Sequence, residues 1–329
     1  VLHVVVIGAG LSGLTAAALL QDAGSCVQVV EADKAIGGRI RSVRDPANKR
    51  ALADLGPTWV WPKYQPIVAR WIDKLGIATC EQFNEGDAVI VGYGPEPVRQ
   101  PLPGQDGMAR LTRGPTTLID DMAKRIGMCN IRTSTSVTRI LEDGPKRIRV
   151  QLGTGEILSA DKVIVSVPLR VAATTLDLPW APQPLINAMQ ETPTWMSTHA
   201  KVVALFDQPF WRAAGLSGRI ASRNGPLVEA HDHTGIDGTP AAIFGFVGWP
   251  PDVRVKDPEG LRQAILVQLA ECFGQTAEQP TSLVLQDWAT NPHIVTELDI
   301  SRPASHPEIG PSVLRQPHLG GRVWFAVSE

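Results

Sequence analysis

The run Val4-Val5-Val6-Ile7-Gly8-Ala9-Gly10-Leu11-Ser12-Gly13 decides the fold. Four β-branched residues predict a buried strand, and the glycines predict a tight turn into a helix through Leu14, Ala17, Ala18 and Leu20. Asp22-Ala23-Gly24 turns the chain into a second strand, Val27-Gln28-Val29-Val30-Glu31, which ends on an acid. In this strand–turn–helix–strand setting, G-x-G-x-x-G is a dinucleotide-binding pattern. Gly8 makes the tight turn, Gly10 lets backbone approach a pyrophosphate, and Gly13 lets the helix pack close to the strand. The helix N-terminus, at Leu11 and Ser12, turns unpaired N–H groups and the positive end of its dipole toward the phosphates. Glu31 can accept hydrogen bonds from ribose hydroxyls.

The 329 residues suffice for one large or two interwoven domains with a sizeable core. A net charge of −2 gives no nucleic-acid footprint. Cys26, Cys80, Cys129 and Cys272 are dispersed with no C-x-x-C, which fits reduced thiols in a cytoplasmic protein and no structural zinc. No apolar run approaches the roughly 18 residues that span a bilayer, so no membrane partner is expected. No signal peptide is expected either, since the sequence opens in its first strand; Val1 leaves room for trimming. With 9 Trp against 2 Tyr, any aromatic pocket must be built mostly from Trp and Phe.

After Glu31-Ala32 come Gly37-Gly38-Arg39, a second glycine pair with a forked cation suited to a pyrophosphate; alone it would also serve as a plain loop with a solvated arginine. The segment resembles the E-A-x4-G-G-R signature of FAD proteins of the flavin amine oxidase type. Other segments resemble the same family in the same order along the chain. Gly56-Pro57-Thr58-Trp59 is similar to its G-G-T-W turn, and Val163 to Pro168 to its V-I-x-x-x-P strand. Pro209-Phe210-Trp211-Arg212 matches P-F-W-R, Ala241 to Phe246 resembles A-A-I-x-G-F, and Phe325 to Glu329 parallels F-A-G-T-E. Between them the pattern predicts helices over 67–75, 114–126 and 259–273. It predicts strands over 88–91, 130–140 (leading into a hairpin at Asp143-Gly144), 147–152, 157–158 and 281–287. Residues 83–112 read as an excursion from the first domain, and 179–193 as a Pro-rich crossing.

Lys201 is the leading candidate for chemistry. Its strand is apolar on both faces, and a buried ammonium is costly. From the pattern alone it could equally be a lysine that protects a sheet edge. The resemblance implies that Lys201 holds a water at flavin N5, that Trp288 and Trp59 lie beside the flavin ring, and that backbone at Gly56, Pro57 and Thr58 approaches it. It also implies that Val137 passes the adenine and that Ser328 and Glu329 reach the pyrophosphate and ribityl chain. An ordinary strand valine at 137 and a core tryptophan at 288 remain open.

There are four departures. Glu297 stands where monoamine oxidases bind flavin through a cysteine, so noncovalent FAD is expected. Leu298 replaces a tyrosine of their aromatic cage, and the long helical insertion before Gly114 is missing. Finally, Val327 replaces the glycine of F-A-G, and the sequence stops at Glu329, before a Gly-rich turn and helix; a truncated chain or an opened flavin site are both expectations.

The expectation is an α/β fold. A Rossmann-like FAD-binding domain over 1–80, 112–190 and 291–329 is interwoven with an α+β substrate domain on a mixed sheet over 81–111 and 191–290. The expected reaction is oxidation of a small-molecule amine to an imine, with O2 as acceptor and H2O2 as product. The open alternatives are a flavin desaturase or dehydrogenase acting on a C–C bond, and a noncatalytic protein that keeps the fold. Pocket candidates are Trp61, Trp195, Phe244, Phe246 and Trp249.

Overall fold

The structure, a computed structural model, describes residues 1–302 and 310–329. The chain forms two compact units, one from Val1–Ile40, Leu118–Thr198 and Trp288–Glu329, the other from Arg41–Thr117 and His199–Asp287.

The first unit is organised by a five-stranded parallel sheet in the order Ile131–Arg132, Cys26–Val30, His3–Ile7, Lys162–Val165, Val323–Phe325. Val4, Val5, Val6 and Ile7 are all buried, as a parallel strand covered on both faces requires. The helix Leu11–Asp22 follows at once and buries Gly13, Leu14, Ala17 and Ala18. A three-stranded antiparallel meander, Val137–Asp143, Arg147–Leu152 and Ile157–Ala160, shares a core with this sheet.

The sequence pattern misjudges two places here. The strand expected over 130–140 is two strands in different sheets. Ser134 breaks it at a φ of 51°, where its N–H turns to Asp33 O and that of Thr135 to Glu31 O. The Pro-rich crossing contains a helix, Gln183–Glu191. Pro184 is tolerated in its first turn, and Leu185, Ala188 and Met189 are buried at helical spacing.

The second unit is built on a seven-stranded mixed sheet in the order Ser282–Asp287, Ala200–Phe206, Ala241–Val247, Leu227–Asp232, Leu216–Ser222, Asp87–Val91, Val98–Gln100. Only the pairing of Leu216–Ser222 with Asp87–Val91 is parallel. Strand alternation sorts the two faces. Ala200, Val202, Ala204 and Phe206 join a core with Leu261, Ile265 and Leu269 of the helix Pro258–Phe273. Val203, Leu205, Ala242 and Phe244 face Ala53 and Leu55 instead. Ala53 and Leu55 share their core with the mixed sheet, and the compact unit that holds them begins at Arg41. The strands Leu216–Ser222 and Leu227–Asp232 have no counterpart in the sequence reading. Among the described residues no helix is long and apolar enough to cross a membrane.

Candidate active site

The glycine turn of the first unit is a cradle made of backbone. Gly8 has a φ of 103°, which favours glycine. A Cβ on Gly13 would collide with the carbonyl oxygen of Gly8 and with Ser166 Oγ, so helix and strand can approach only because it is absent. A Cβ on Gly10 would meet no protein atom within 4 Å, so that glycine faces open space. Gly10 is also the N-cap of Leu11–Asp22, and no side chain caps this helix. Its first-turn N–H groups are therefore available to an anion. Ser12 Oγ donates to Ala326 O, which ties the helix to the last strand's exit.

Glu31 is 8 % exposed. Its Oε2 accepts from Ala9 N at 2.7 Å and its Oε1 from Asp33 N at 2.8 Å. The carboxylate thus braces the glycine turn and keeps lone pairs for further donors. The second glycine pair docks on the first: Gly37 N donates to Ala9 O at 2.8 Å, and Gly37 bridges Gly10. Gly38 follows at a φ of 57°. Arg39 is engaged by protein. Its Nη1 donates to Trp195 O at 2.8 Å and lies 2.7 Å from Glu329 Oε1, and its Nη2 donates to Ser328 Oγ at 2.5 Å. Gly8, Gly10, Gly13, Glu31, Gly38, Arg39, Ser328 and Glu329 are therefore linked within one unit. Val137 and Trp288 are buried in the same unit. A glycine turn open at Gly10, a second glycine pair docked on it, an uncapped helix N-terminus and a buried carboxylate fit a dinucleotide.

In the second unit Lys201 is 2 % exposed and sits on a strand paired on both sides, so it protects no edge. Its Nζ donates to Gly56 O at 2.9 Å and to Thr58 Oγ1 at 2.5 Å, and stands 3.9 Å from the centre of the Phe244 ring. Burial lowers its pKa from 10.5 to about 7, with Asp54 opposing that fall and Arg110 adding to it. Gly56, Thr58, Trp59 and Lys201 are thus brought together around Phe244. Trp59 lies against His231, Phe244 and Phe246, and its Nε1 donates to Gln82 Oε1 at 2.8 Å.

The polar residues behind this group escape a reading of the sequence. His233 Nδ1 is 2.9 Å from Arg110 Nη1, and its Nε2 is 3.2 Å from Asp54 Oδ2. A guanidinium can only donate, so Nδ1 accepts, while Nε2 takes the Asp54 backbone N–H at 3.1 Å beside the carboxylate of the same residue. Burial lowers the His233 pKa, against the pull of Asp54. His231 is bound by Glu229 and Gln105. The available signal was Glu229-Ala230-His231-Asp232-His233, a strand with too many ionisable groups for a plain core. Among the described residues no group of His, Cys, Asp and Glu is arranged to hold a metal ion.

Comparison with known proteins bears on both units. A family model described as flavin containing amine oxidoreductase matches residues 11–97 and 96–326. A protein of Dictyostelium discoideum described as a probable flavin-containing monoamine oxidase A is 26% identical over 181 residues, 54% of this chain and 39% of its own length. An L-amino acid oxidase of Crotalus durissus cumanensis is 42% identical over 85 residues, 26% of this chain and 16% of its own. The matches thus span well under two thirds of these relatives.

Among solved structures, putrescine oxidase bound to putrescine superposes with a TM-score of 0.81 at 20% identity, covering 99% of this chain and 93% of that one. Cyclohexylamine oxidase from Brevibacterium oxydans gives 0.80 at 19%, with the same coverage. At such identities the likeness carries the fold.

Proposed function

The chain belongs to the flavin-containing amine oxidoreductase family, and from that membership we propose that it is an FAD-dependent oxidase converting a small amine to an imine. Bound FAD supplies a hydride acceptor at N5 for the carbon next to a neutral amine, and reoxidation by O2 gives H2O2. The observation that carries this reading is the backbone cradle braced by Glu31 and closed by the Gly37-Gly38 turn.

The chain's own residues would bind, orient and dry the site. Gly8, Gly10, Leu11, Ser12 and Gly13 would hold the pyrophosphate by backbone N–H groups, and Glu31 and Ala32 the adenosine ribose. Gly38, Arg39, Ser328 and Glu329 would fasten the turn that faces them, and Val137 would pass the adenine. Binding would be noncovalent, because the position that the resemblance to monoamine oxidases would give to a flavin-linking cysteine is here Glu297, an exposed carboxylate.

Lys201 would hold a water for the cofactor. Two of its nitrogen's positions are occupied by Gly56 O and Thr58 Oγ1. With a pKa of about 7, the remaining position is an N–H or a lone pair near neutrality, and either can bind water. Trp59 and Trp288 would wall the ring, with Gly56 and Pro57 leaving room for it.

The test is the visible absorption spectrum of the purified protein before and after denaturation, followed by an amine screen with peroxide detection. Flavin bands released as free FAD, with peroxide formed from an amine, are expected. A colourless protein that gains no bands on incubation with FAD would overturn the reading. Flavin reduced by substrate without peroxide would favour a dehydrogenase.

A further inference from the structure

We propose that His231 is the positioning residue of the Lys201–Trp59 group: held as its neutral Nε2–H tautomer between Gln105 and Glu229, it fixes the Trp59 ring and keeps a second positive charge away from Lys201. The inference rests on the proposed function, in which Trp59 and Lys201 serve the cofactor.

His231 touches Trp59 directly and reaches Lys201 through Phe244, a ring that meets Trp59 as well. Its ring meets Trp59 edge-on at 4.7 Å and 85°, and stacks on Phe244 at 5.3 Å and 27°. Phe244 is the ring that carries the Lys201 ammonium at 3.9 Å. Both imidazole nitrogens are engaged. Nδ1 is 2.7 Å from Gln105 Nε2, and Nε2 is 2.6 Å from Glu229 Oε1. An amide nitrogen only donates, so Nδ1 accepts, and Nε2–H donates to the carboxylate.

The charged groups that bear on the ring come from three strands. They are Glu229 on its own strand, Arg219 on Leu216–Ser222, and Lys201 on Ala200–Phe206. Burial dominates and lowers the His231 pKa; Glu229 raises it, while Arg219 and Lys201 lower it further. The ring therefore stays neutral to lower pH than an ordinary histidine.

Gln105 supplies a second state. Its Oε1 is buried with no hydrogen-bond partner among the described residues, although Nε2 is bonded. Protonation of Nδ1 would place two donors face to face, and only a turn of the amide, presenting Oε1, would restore the bond. The segment carrying Gln105 has glycines at positive φ on both sides, Gly104 at 105° and Gly107 at 76°. Such backbone gives Gln105 room to respond.

The test follows the fluorescence of the flavin-free protein from pH 8 to pH 4.5, because a protonated imidazole quenches an indole it touches. It needs neither cofactor nor substrate, so it stands or falls apart from the proposed activity. Wild type is expected to show a quenching step that is absent in both His231→Phe and Trp59→Phe. Gln105→Glu would supply an acceptor for Nδ1–H and is expected to raise the midpoint by about one pH unit. Glu229→Gln is expected to lower it. In the holoenzyme Gln105→Glu should move the acid limb of kcat upward by the same interval, with KM changing less than kcat. A quenching step unchanged by Gln105→Glu and Glu229→Gln, or one that persists in Trp59→Phe, would overturn the proposal. The two charge variants decide the matter even if His231→Phe does not fold.

Discussion

The cradle of the first unit and the Lys201 group of the second are built from different parts of the chain. The cradle is backbone: glycines, uncapped N–H groups and one carboxylate that binds two N–H groups. Its glycines and Glu31 lie within 31 consecutive positions, from Gly8 to Gly38. The Lys201 group is side chain on side chain. It draws on segments near residues 54–59, 82, 105–110, 201, 229–233 and 244–246. A backbone device tolerates changes of side chain but no added Cβ where chains touch. A side-chain device tolerates local change but depends on ionisation.

The largest effect should separate two glycines of the cradle. Gly13→Ala puts a Cβ into the Gly8 carbonyl. Overpacking of this kind costs about 3 kcal/mol, and flavin retention should be lost with it. Gly10→Ala meets nothing in the protein, so urea unfolding of the flavin-free variant should match wild type within about 0.5 kcal/mol. Its affinity for FAD should nevertheless fall about tenfold or more, since the methyl occupies the approach of the ligand. Equal FAD affinity in Gly10→Ala and wild type would mean that Gly10 does not face the dinucleotide.

The second effect has the opposite sign. The folded pKa of Lys201, about 7, lies below its unfolded value near 10.5. The unfolded state therefore binds the proton more tightly, and stability present above pH 10.5 is lost as pH falls toward 7. Lys201→Met removes that cost along with the bonds to Gly56 and Thr58, for a net gain of about 2 kcal/mol at pH 7. Urea unfolding at pH 7 and at pH 9.5 should show wild type gaining with pH while the variant stays flatter. A variant less stable than wild type at both pH values would show that the ammonium is better paired than its burial suggests. In the proposed reaction the same variant should keep FAD but change the rate of flavin reduction or reoxidation.

A third effect is smaller and again marks the side-chain device. Burial holds the pKa of His231 and His233 below the ordinary 6.5. Each stays neutral when folded while the unfolded chain takes up a proton. Stability should therefore drop as pH falls below about 6.5, by up to about 1 kcal/mol per group for each pH unit. Thermal unfolding of wild type at pH 6.5 and 5.5, against His233→Gln, checks the His233 share; identical losses in both proteins would assign it elsewhere.

This contrast explains what could be read in the sequence. A glycine turn is a local pattern, so Gly8 to Gly13, Glu31 and Gly37-Gly38 stand out in the sequence as one linked motif. Lys201 is visible because an apolar strand makes a lysine conspicuous. His231, His233, Gln105 and Arg110 act through contacts more than 100 residues apart in sequence, which no local period encodes. The break at Ser134 was hidden for a related reason. Its left-handed backbone is fixed by Asp33 and Glu31, roughly a hundred positions earlier. Helix Gln183–Glu191 was masked by prolines that a first helical turn accepts.

The smallest effect tests the one place where the cradle uses side chains as fasteners. Arg39 is about a quarter exposed, and its guanidinium joins Trp195 O, Ser328 and Glu329 at once. Solvent at Arg39 weakens the pair, so Arg39→Lys, which keeps the charge but loses the fork, should cost about 1 kcal/mol in the flavin-free protein. If fastening is the whole role, Glu329→Gln should cost a similar amount, and the double variant no more than either alone. FAD affinity should then fall equally in both single variants, because either loosens the same turn. A much larger loss of affinity in Arg39→Lys than in Glu329→Gln would give the guanidinium a pyrophosphate to bind, and would add a side chain to a cradle otherwise made of backbone.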